Sequence, residues 1–324
     1  MAKVIILASG ISDLTTAVAA LMNHGKWPPS APQDVTAVVI GQGVSLPDSL
    51  IMATRETAAS AYNLESIQSF RWGEDDDKIR EFAKAGSGSG LVVANQLQSP
   101  RQRELITALQ PREFIFYDNG LSSYVDHKVD MERWIETLPN CQRFAAYLSY
   151  ANEFGIPAYL HAFDTASLAP SVLARSAQLV CNAFLTEKDL LPAGAAVILG
   201  TSFDRTNILS ASEEQALHQH LAKLVRERHE GPIFFKPHPR AGDVYLTEAD
   251  DVSPLSTELP IEAYVSSADG TAYSFSSTAL FSLPAMFGWK AHRVQHELMD
   301  KVFTSRPQLA KMKILQPSII LERS

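Results

Sequence analysis

Short apolar runs alternate with helix-length amphipathic segments along the first part of the chain. Buried strands are predicted at four of these runs, residues 4–8, 35–40, 91–94 and 113–117. Helices are predicted between and after them, at residues 13–24, 49–62, 74–84 and 101–109. This alternation is typical of a parallel sheet whose strands are joined by crossover helices.

The second part of the chain begins a new alternation of the same kind. Residues 131–191 are predicted to be largely helical, with one short strand at 156–160. A strand is then predicted at 196–200, a helix at 212–228 and a strand at 232–235. Ser212 and Gln215 are the candidate capping box of that helix.

These two alternations predict an α/β protein with two Rossmann-like parallel-sheet domains. We place the first domain at residues 1–190 and the second at residues 191–324. By analogy with sugar-nucleotide glycosyltransferases of the GT-B type, the two domains are expected to face a cleft.

Composition narrows the class of protein. The chain has 324 residues, of which 46% are hydrophobic and 20% charged, as expected of a folded globular protein. Its net charge of −8 argues against non-specific nucleic-acid binding, which needs a basic surface. Cys141 and Cys181 lack metal-ligand spacing and are expected to be reduced core residues. Because the first apolar run is too short for a signal peptide, a cytoplasmic location is expected.

Lys236-Pro237-His238-Pro239 is the most informative motif. It closes the apolar strand predicted at 232–235, and its two prolines fix the backbone on both sides of the histidine. Ligands of open α/β sheets bind at the carboxyl ends of strands, so His238 is a candidate ligand-binding residue. The alternative is a histidine in a tight turn.

Asp118-Asn119-Gly120 follows the strand predicted at 113–117. Because Gly120 accepts a positive φ and Asn119 tolerates it, the chain can turn here and present Asp118 as a general base. The alternative is a simple turn. Asn119 and Gly120 are also candidate cleft residues, as are Ser9 and Gly10 after the first strand.

Two further segments have polar residues at helix starts. Ser276-Ser277-Thr278 precede an apolar helix, where hydroxyl groups and free backbone N–H groups can bind a phosphate. Glu262, in Pro260-Ile261-Glu262, can bind ribose hydroxyls. Taken alone, the first segment is also an ordinary N-cap, and Glu262 is also a helix-start glutamate.

The order of these motifs resembles that of bacterial sialyltransferases that use CMP-sialic acid. Their shared pattern is an acidic pair with glycine, then His-Pro, then a Ser-Ser or Ser-Thr pair. Tyr117-Asp118-Asn119-Gly120, followed by Tyr124-Val125-Asp126, is similar to the Tyr-Asp-Asp-Gly…Tyr-Val-Asp segment of one such family. The Lys-Pro-His-Pro form resembles the related bacterial polysialyltransferase-like proteins.

The resemblance implies an inverting, metal-independent transfer of sialic acid, or a related nonulosonate, from a CMP donor to a glycan hydroxyl. It implies that Asp118 and His238 are the catalytic residues: Asp118 is the general base, and His238 contacts the CMP phosphate and helps it depart, by a hydrogen bond or as a general acid. Ser276, Ser277 and Thr278 would hold that phosphate and Glu262 the ribose. Lys236 and Pro239 complete the predicted donor site, with Lys236 meeting a donor anion or facing solvent.

One departure and several alternatives remain. Asn119 stands where the family has its second acidic residue, so catalysis is expected to survive only if the first acid is the base. The alternatives are a CMP-Kdo or other capsule or lipopolysaccharide transferase, a catalytically silent nucleotide-binding homologue, and a UDP-sugar epimerase. The expected partners are the donor and a glycan acceptor, with no nucleic acid and possible peripheral contact with a membrane or a glycan-assembly complex.

Overall fold

The computed structural model describes residues 3–28, 34–41, 48–118, 120–125, 127–205, 207–239, 246–247 and 251–321. The chain divides into two compact units, Met1–Phe184 (unit 1) and Leu185–Ser324 (unit 2). The boundary predicted at 190/191 lies a few residues further along the chain.

Unit 1 contains a seven-stranded parallel sheet. Its strands are β1 Val4–Ala8, β2 Val35–Gly41, β3 Ser66–Arg71, β4 Leu91–Ala94, β5 Glu113–Tyr117, β6 Arg143–Leu148 and β7 Asp164–Ser167. Their order in the sheet is β3-β2-β1-β4-β5-β6-β7. Its helices are α1 Ile11–Asn23, α2 Asp48–Ser60, α3 Asp76–Ala85, α4 Pro100–Leu109, α5 Met131–Glu136, α6 Ala151–Phe154 and α7 Pro170–Phe184.

The core of unit 1 forms around strands that are buried on both faces. Phe114 and Phe116 of β5 have no exposed side-chain surface, and neither have Ile5 and Leu7 of β1. The Phe114 ring packs edge-on against Trp134 of α5, with 5.6 Å between the ring centroids. Strands covered by helices on both faces carry near-continuous apolar runs, which is why the sequence pattern located these strands.

Unit 2 contains a six-stranded parallel sheet. Its strands are β8 Ala195–Leu199, β9 Ile233–Lys236, β10 Ser253–Pro254, β11 Gly270–Ser274, β12 Lys290–Gln295 and β13 Pro317–Ile320. Their order is β10-β9-β8-β11-β12-β13. Its helices are α8 Ala211–Arg228, α9 Ala279–Phe287, α10 Leu298–Ser305 and α11 Pro307–Ala310. The predicted fold class, α/β with two Rossmann-like parallel-sheet domains, is confirmed.

The structure corrects two predictions of local structure. The segment predicted as mainly helical contains β6 and β7, whereas the strand predicted at 156–160 is absent: Ala158–Leu160 form a 3₁₀ helix after Pro157. The pattern missed β7 because this strand is a largely exposed edge strand with no apolar run. It missed β6 although the last four residues of that strand are apolar and buried. The capping box of α8 is formed by Ser210 and Glu213, not by Ser212 and Gln215.

Both sheets reverse their strand order at one position. In unit 1 the chain adds β2 and β3 on one side of β1, and then β4 on the other side. In unit 2 it adds β9 and β10 on one side of β8, and then β11 on the other. Such a reversal leaves a crevice at the carboxyl ends of the two strands that flank it, where ligands of open α/β sheets bind.

Candidate functional site

Asp118 directly follows β5 and is 2% exposed. The Tyr124 hydroxyl donates to its Oδ2 over 2.7 Å. The Ser149 backbone N–H also donates to Oδ2, over 2.9 Å, and the Ser149 hydroxyl donates to Oδ1 over 2.8 Å. Because Ser149 follows β6, these bonds join the carboxyl ends of two neighbouring strands.

Burial dominates the acidity of this carboxyl group. It raises the pKa of Asp118 to about 6, although the hydrogen bonds from Tyr124 and Ser149 lower it in part. A carboxylate with a pKa near neutrality is a stronger proton acceptor than an exposed aspartate.

The glycine of the Asp-Asn-Gly segment has the conformation that its sequence predicts. Gly120 has a φ of 58°, in the left-handed region that a residue without a β-carbon adopts readily. It begins the 3₁₀ helix Gly120–Tyr124, which carries Tyr124 back to the Asp118 carboxylate. Asn119 and Asp126 lie outside the described residues.

Ser9 and Gly10 follow β1 at the carboxyl edge of the same sheet. The Ser9 backbone N–H donates to Oδ2 of Asp13 over 3.0 Å, and its hydroxyl donates to the same oxygen. Gln96, after β4, donates from Nε2 to the Ser9 hydroxyl over 3.3 Å. Gly10 is the N-cap of α1. Asp13, which is 6% exposed, is a second buried carboxylate at this edge that sequence reasoning did not single out.

Lys236 and Glu262 of unit 2 are near enough to interact electrostatically. Lys236 ends β9 and is 6% exposed, and its Nζ donates to the Pro237 carbonyl over 3.3 Å. Burial lowers the pKa of Lys236 to about 8. The negative charge of the Glu262 carboxylate opposes this shift only in part. Glu262 lies in the short 3₁₀ helix Ile261–Tyr264, not in a longer amphipathic helix. Ser282 of α9 donates to its Oε1 over 2.5 Å.

His238 is half-buried and Pro239 exposed, directly after β9. Gly200, at the end of β8, allows this turn to lie close to the neighbouring strand. A β-carbon at position 200 would lie 3.1 Å from the His238 backbone nitrogen and 3.3 Å from the Lys236 carbonyl oxygen. Gly200 therefore positions the tetrad, a role that only the pairing of β8 with β9 makes visible.

Ser276, Ser277 and Thr278 are half-buried between β11 and α9. The Ser277 hydroxyl accepts the Ala279 backbone N–H over 3.2 Å, and Thr278 is the N-cap residue of α9 without a side-chain capping bond. These residues follow β11, one of the two strands at the reversal point of this sheet. A helix start at that position can bind a phosphate through backbone N–H groups and hydroxyls.

Glu214 of α8 is a buried residue that sequence reasoning missed. Its side chain is fully buried, and its Oε1 accepts the Thr201 hydroxyl over 2.5 Å and the Phe203 backbone N–H over 3.1 Å. Its Oε2 accepts the Asp204 backbone N–H over 2.6 Å. The carboxylate thus fixes the loop after β8, beside the tetrad. From the sequence, a glutamate in the first turn of a helix indicates only a favourable interaction with the helix dipole, not a buried contact with another segment.

Neither a metal site nor a membrane-spanning helix is present among the described residues. No three His, Cys, Asp or Glu side chains are grouped there as a metal site. None of the helices described is long and apolar enough to cross a bilayer. Cys141 and Cys181 are both free thiols, with Cys181 buried and Cys141 half-buried.

Solved structures similar to this chain share its fold. A sialyltransferase from Photobacterium damsela matches with a TM-score of 0.56 and 12% identity, over 100% of this chain and 82% of that one. A UDP-GlcNAc 2-epimerase from Methanocaldococcus jannaschii, in complex with UDP-GlcNAc and UDP, matches with a TM-score of 0.50 and 13% identity, over 99% of this chain and 89% of that one. No curated protein sequence matches.

The fold alone does not distinguish a sialyltransferase from a UDP-GlcNAc 2-epimerase, but a match to a sequence family does. The family model of alpha-2,8-polysialyltransferase (POLYST) matches residues 89–295, which is more than half of the chain. The matched range includes Asp118, the tetrad, Glu262 and the serines before α9. The chain therefore belongs to the alpha-2,8-polysialyltransferase family and is a glycosyltransferase of the sialyltransferase type.

Proposed function

We propose that the protein transfers sialic acid, or a related nonulosonate, from a CMP-activated donor to a glycan hydroxyl, with inversion and without a metal ion. The main support is the set of groups around the strand reversal of unit 2. The α9 start, carrying Ser276 to Thr278, and the tetrad after β9 lie on either side of β8, at one edge of the sheet.

In this proposal unit 2 binds the donor. The hydroxyls of Ser276 and Ser277 and the first backbone N–H groups of α9 hold the phosphate, together with Thr278 and His238. Glu262 accepts hydrogen bonds from the ribose, and its Oε1 is already oriented by Ser282. The Lys236 ammonium supplies a positive charge to a donor anion, the phosphate or the sugar carboxylate.

The transfer is a single displacement at the anomeric carbon. The acceptor oxygen forms the new bond to that carbon while the bond to the phosphate oxygen breaks. The electron pair of the broken bond leaves with the phosphate oxygen of CMP, and the proton of the acceptor hydroxyl passes to Asp118. Donors fixed at the phosphate stabilise the charge that develops there, an effect of about 3–4 kcal/mol for one well-placed donor in other enzymes.

A thermal-shift panel of CMP, CDP, UDP and GDP tests the nucleotide. We expect CMP to raise the melting temperature without added metal and with EDTA present, and UDP and GDP to leave it unchanged. Stabilisation by UDP alone would instead favour a UDP-sugar enzyme such as an epimerase. Indifference to CMP would contradict the proposal.

Transfer itself is tested with CMP-sialic acid and CMP-Kdo and a mixture of glycan acceptors, with products identified by mass. We expect a sialylated product whose new linkage has the opposite anomeric configuration to the donor. A Kdo-bearing product alone would favour the related transferase. CMP binding without transfer to any acceptor would favour a catalytically silent homologue.

A further inference from the structure

His218, in the middle of α8, is a buried titratable residue that the proposed mechanism does not use. It is 1% exposed. Its Nδ1 lies 2.9 Å from the carbonyl oxygen of Glu214, one turn earlier in the same helix, and must donate because a carbonyl oxygen only accepts. Burial lowers the pKa of His218 to about 4, so the ring is neutral at pH 7 and its Nε2 carries no proton. That Nε2 has no hydrogen-bond partner.

Two aromatic rings pack edge-on against this imidazole. The Phe235 ring of β9 lies 5.7 Å from it between ring centroids, at an interplanar angle of 68°. The Phe275 ring, directly after β11, lies 5.7 Å from it at an angle of 88°. Both phenylalanines are buried, and edge-to-face pairs of this kind are favourable beyond the area that they bury.

The two rings come from strands that do not pair with each other. In the sheet of unit 2, β9 and β11 lie on opposite sides of β8. The backbone hydrogen bonds of the sheet therefore connect β9 to β11 through β8. His218 adds a second connection between them, made by side chains, because its ring contacts one residue from each segment.

Each phenylalanine directly precedes a motif of the proposed donor site. Lys236, the first residue of the tetrad, follows Phe235, and Ser276 follows Phe275. Because a packed core leaves little free space, the position of each ring constrains the backbone of the residue after it. The spacing of the two motifs therefore depends on the side chain that lies between the two rings, which is that of His218.

The same face of α8 also holds the loop after β8. Glu214 accepts the Thr201 hydroxyl over 2.5 Å and the Phe203 backbone N–H over 3.1 Å. Residues four positions apart lie on the same face of a helix, so Glu214 and His218 project from one face of α8. Together they connect α8 to the carboxyl ends of the three adjacent strands β9, β8 and β11.

We propose that His218 is a positioning residue of the donor site. Its ring lies as a spacer between Phe235 and Phe275 and sets the distance between the tetrad and the start of α9, so that both motifs can hold one phosphate. The inference rests on the proposed function in that both motifs bind the donor phosphate. Among the described residues, the imidazole forms a hydrogen bond only within its own helix, so the spacer acts by its shape and another flat ring should replace it.

The first test compares the affinities of the whole protein for CMP and for cytidine, measured by calorimetry, because their ratio isolates the contribution of the phosphate. His218→Ala should lower this ratio about tenfold, the lower end of the effect of one lost hydrogen bond to a charged group. His218→Phe keeps a flat ring and should stay within about threefold of the wild type. If His218→Ala does not fold, His218→Leu, which fills the space without a flat ring, should show the same fall.

Val225→Ala is the matched control for lost core packing. Val225 is fully buried in the same helix and lies about 10 Å further along it, away from the carboxyl ends of the strands. Its ratio of CMP to cytidine affinity should equal that of the wild type. An unchanged ratio in the His218→Ala or His218→Leu variant, or an equal fall in Val225→Ala, would overturn the proposal.

The second test needs no nucleotide. Hydrogen exchange of the free protein is followed by mass spectrometry in peptides that cover residues 233–238 and 275–280. Both peptides should exchange faster in His218→Ala and at the wild-type rate in His218→Phe and Val225→Ala. Faster exchange in only one of the two peptides, or in neither, would overturn the proposal.

The two tests separate this inference from the donor proposal. A wild-type protein that binds neither CMP nor cytidine would contradict the donor proposal, and hydrogen exchange would still decide whether His218 spaces the two motifs. A wild-type protein that binds CMP, together with unaltered exchange in His218→Ala, would support the donor site and overturn the role of His218.

Discussion

The Tyr124 hydroxyl donates a 2.7 Å hydrogen bond to Oδ2 of Asp118, and it also accepts the Tyr150 backbone N–H over 2.6 Å. The phenol thereby connects the turn after β5 with the chain after β6. It supports the ionised form of a carboxylate whose burial would otherwise favour the protonated form. The ionisation of Asp118 therefore depends on a residue six positions further along the chain.

Replacing Asp118 by Asn should lower the transfer rate about 10²–10⁴-fold, the contribution of a general base in other enzymes. Asn keeps the shape of the side chain and removes its basicity. CMP binding, which we propose for unit 2, should be unchanged in a thermal-shift assay. The paired variant Asp13→Asn removes the other buried carboxylate of the same sheet edge. Full activity in Asp118→Asn with loss in Asp13→Asn would assign the base to Asp13.

The pH dependence of transfer should follow Asp118. Since the base acts when it is ionised, the rate should rise with pH through the pKa of about 6. Tyr124→Phe removes a hydrogen bond that lowers this pKa. The rising part of the pH–rate profile should therefore move to higher pH by roughly one unit. The rate on the alkaline plateau should be retained.

Tyr62→Phe is the control for that shift. Tyr62 is also buried, and its hydroxyl bonds with Thr15 and Ser176, away from Asp118. Transfer rates of Tyr62→Phe, measured between pH 4.5 and 9, should rise over the same pH range as those of the wild type. An unshifted profile in Tyr124→Phe would show that Asp118 does not set the pH dependence.

Lys236→Met should stabilise the protein and weaken CMP binding. Because the folded pKa of about 8 lies below the ordinary 10.5, the unfolded chain binds more protons between these values. The free energy of unfolding of the wild type should therefore rise with pH across this window. Below pH 8 the buried ammonium destabilises the folded protein to its full extent. Its removal should raise the unfolding free energy at pH 7 by about 2 kcal/mol.

Urea unfolding at pH 7 and at pH 10 measures this difference. The stability gain of Lys236→Met should be large at pH 7 and small at pH 10, where the wild-type lysine is mostly neutral. Lys223→Met, at an exposed position of α8, is the control and should change neither stability nor CMP affinity appreciably. Unaltered CMP binding in Lys236→Met would remove the lysine from the donor site.

Glu214→Ala should destabilise the protein by about 2–4 kcal/mol, because the backbone N–H groups of the buried Phe203 and the half-buried Asp204 lose their acceptor, as does the Thr201 hydroxyl. CMP affinity should fall as well, since the loop after β8 lies beside the tetrad. Glu227→Ala, at an exposed position of the same helix, should stay within about 0.5 kcal/mol of the wild type. Chemical unfolding and CMP titration of both variants measure this, and equal stability would contradict the role of Glu214.

The sequence alone located several of the buried strands, such as β1, β5, β8 and β9, and the polar residues that follow them, but it missed β6 and β11. Strands such as β1 and β5 are covered on both faces, so their residues must be apolar in unbroken runs, and the pattern is local. The turn at Gly120 is also local, because its positive φ depends on the residue itself. The resemblance to sialyltransferases rested on such local motifs, and the family match over residues 89–295 confirms it.

Only the tertiary structure decided which of these residues meet. The pairing of β8 with β9 places Gly200 against the tetrad, and the reversal of strand order at β1 and β4 brings Gln96 to the Ser9 hydroxyl. Glu214 and Tyr124 are inconspicuous along the chain because their partners come from other segments. Hydrogen bonding, burial and charge interactions depend on distances in the folded structure, and these distances cannot be derived from the order of residues along the chain.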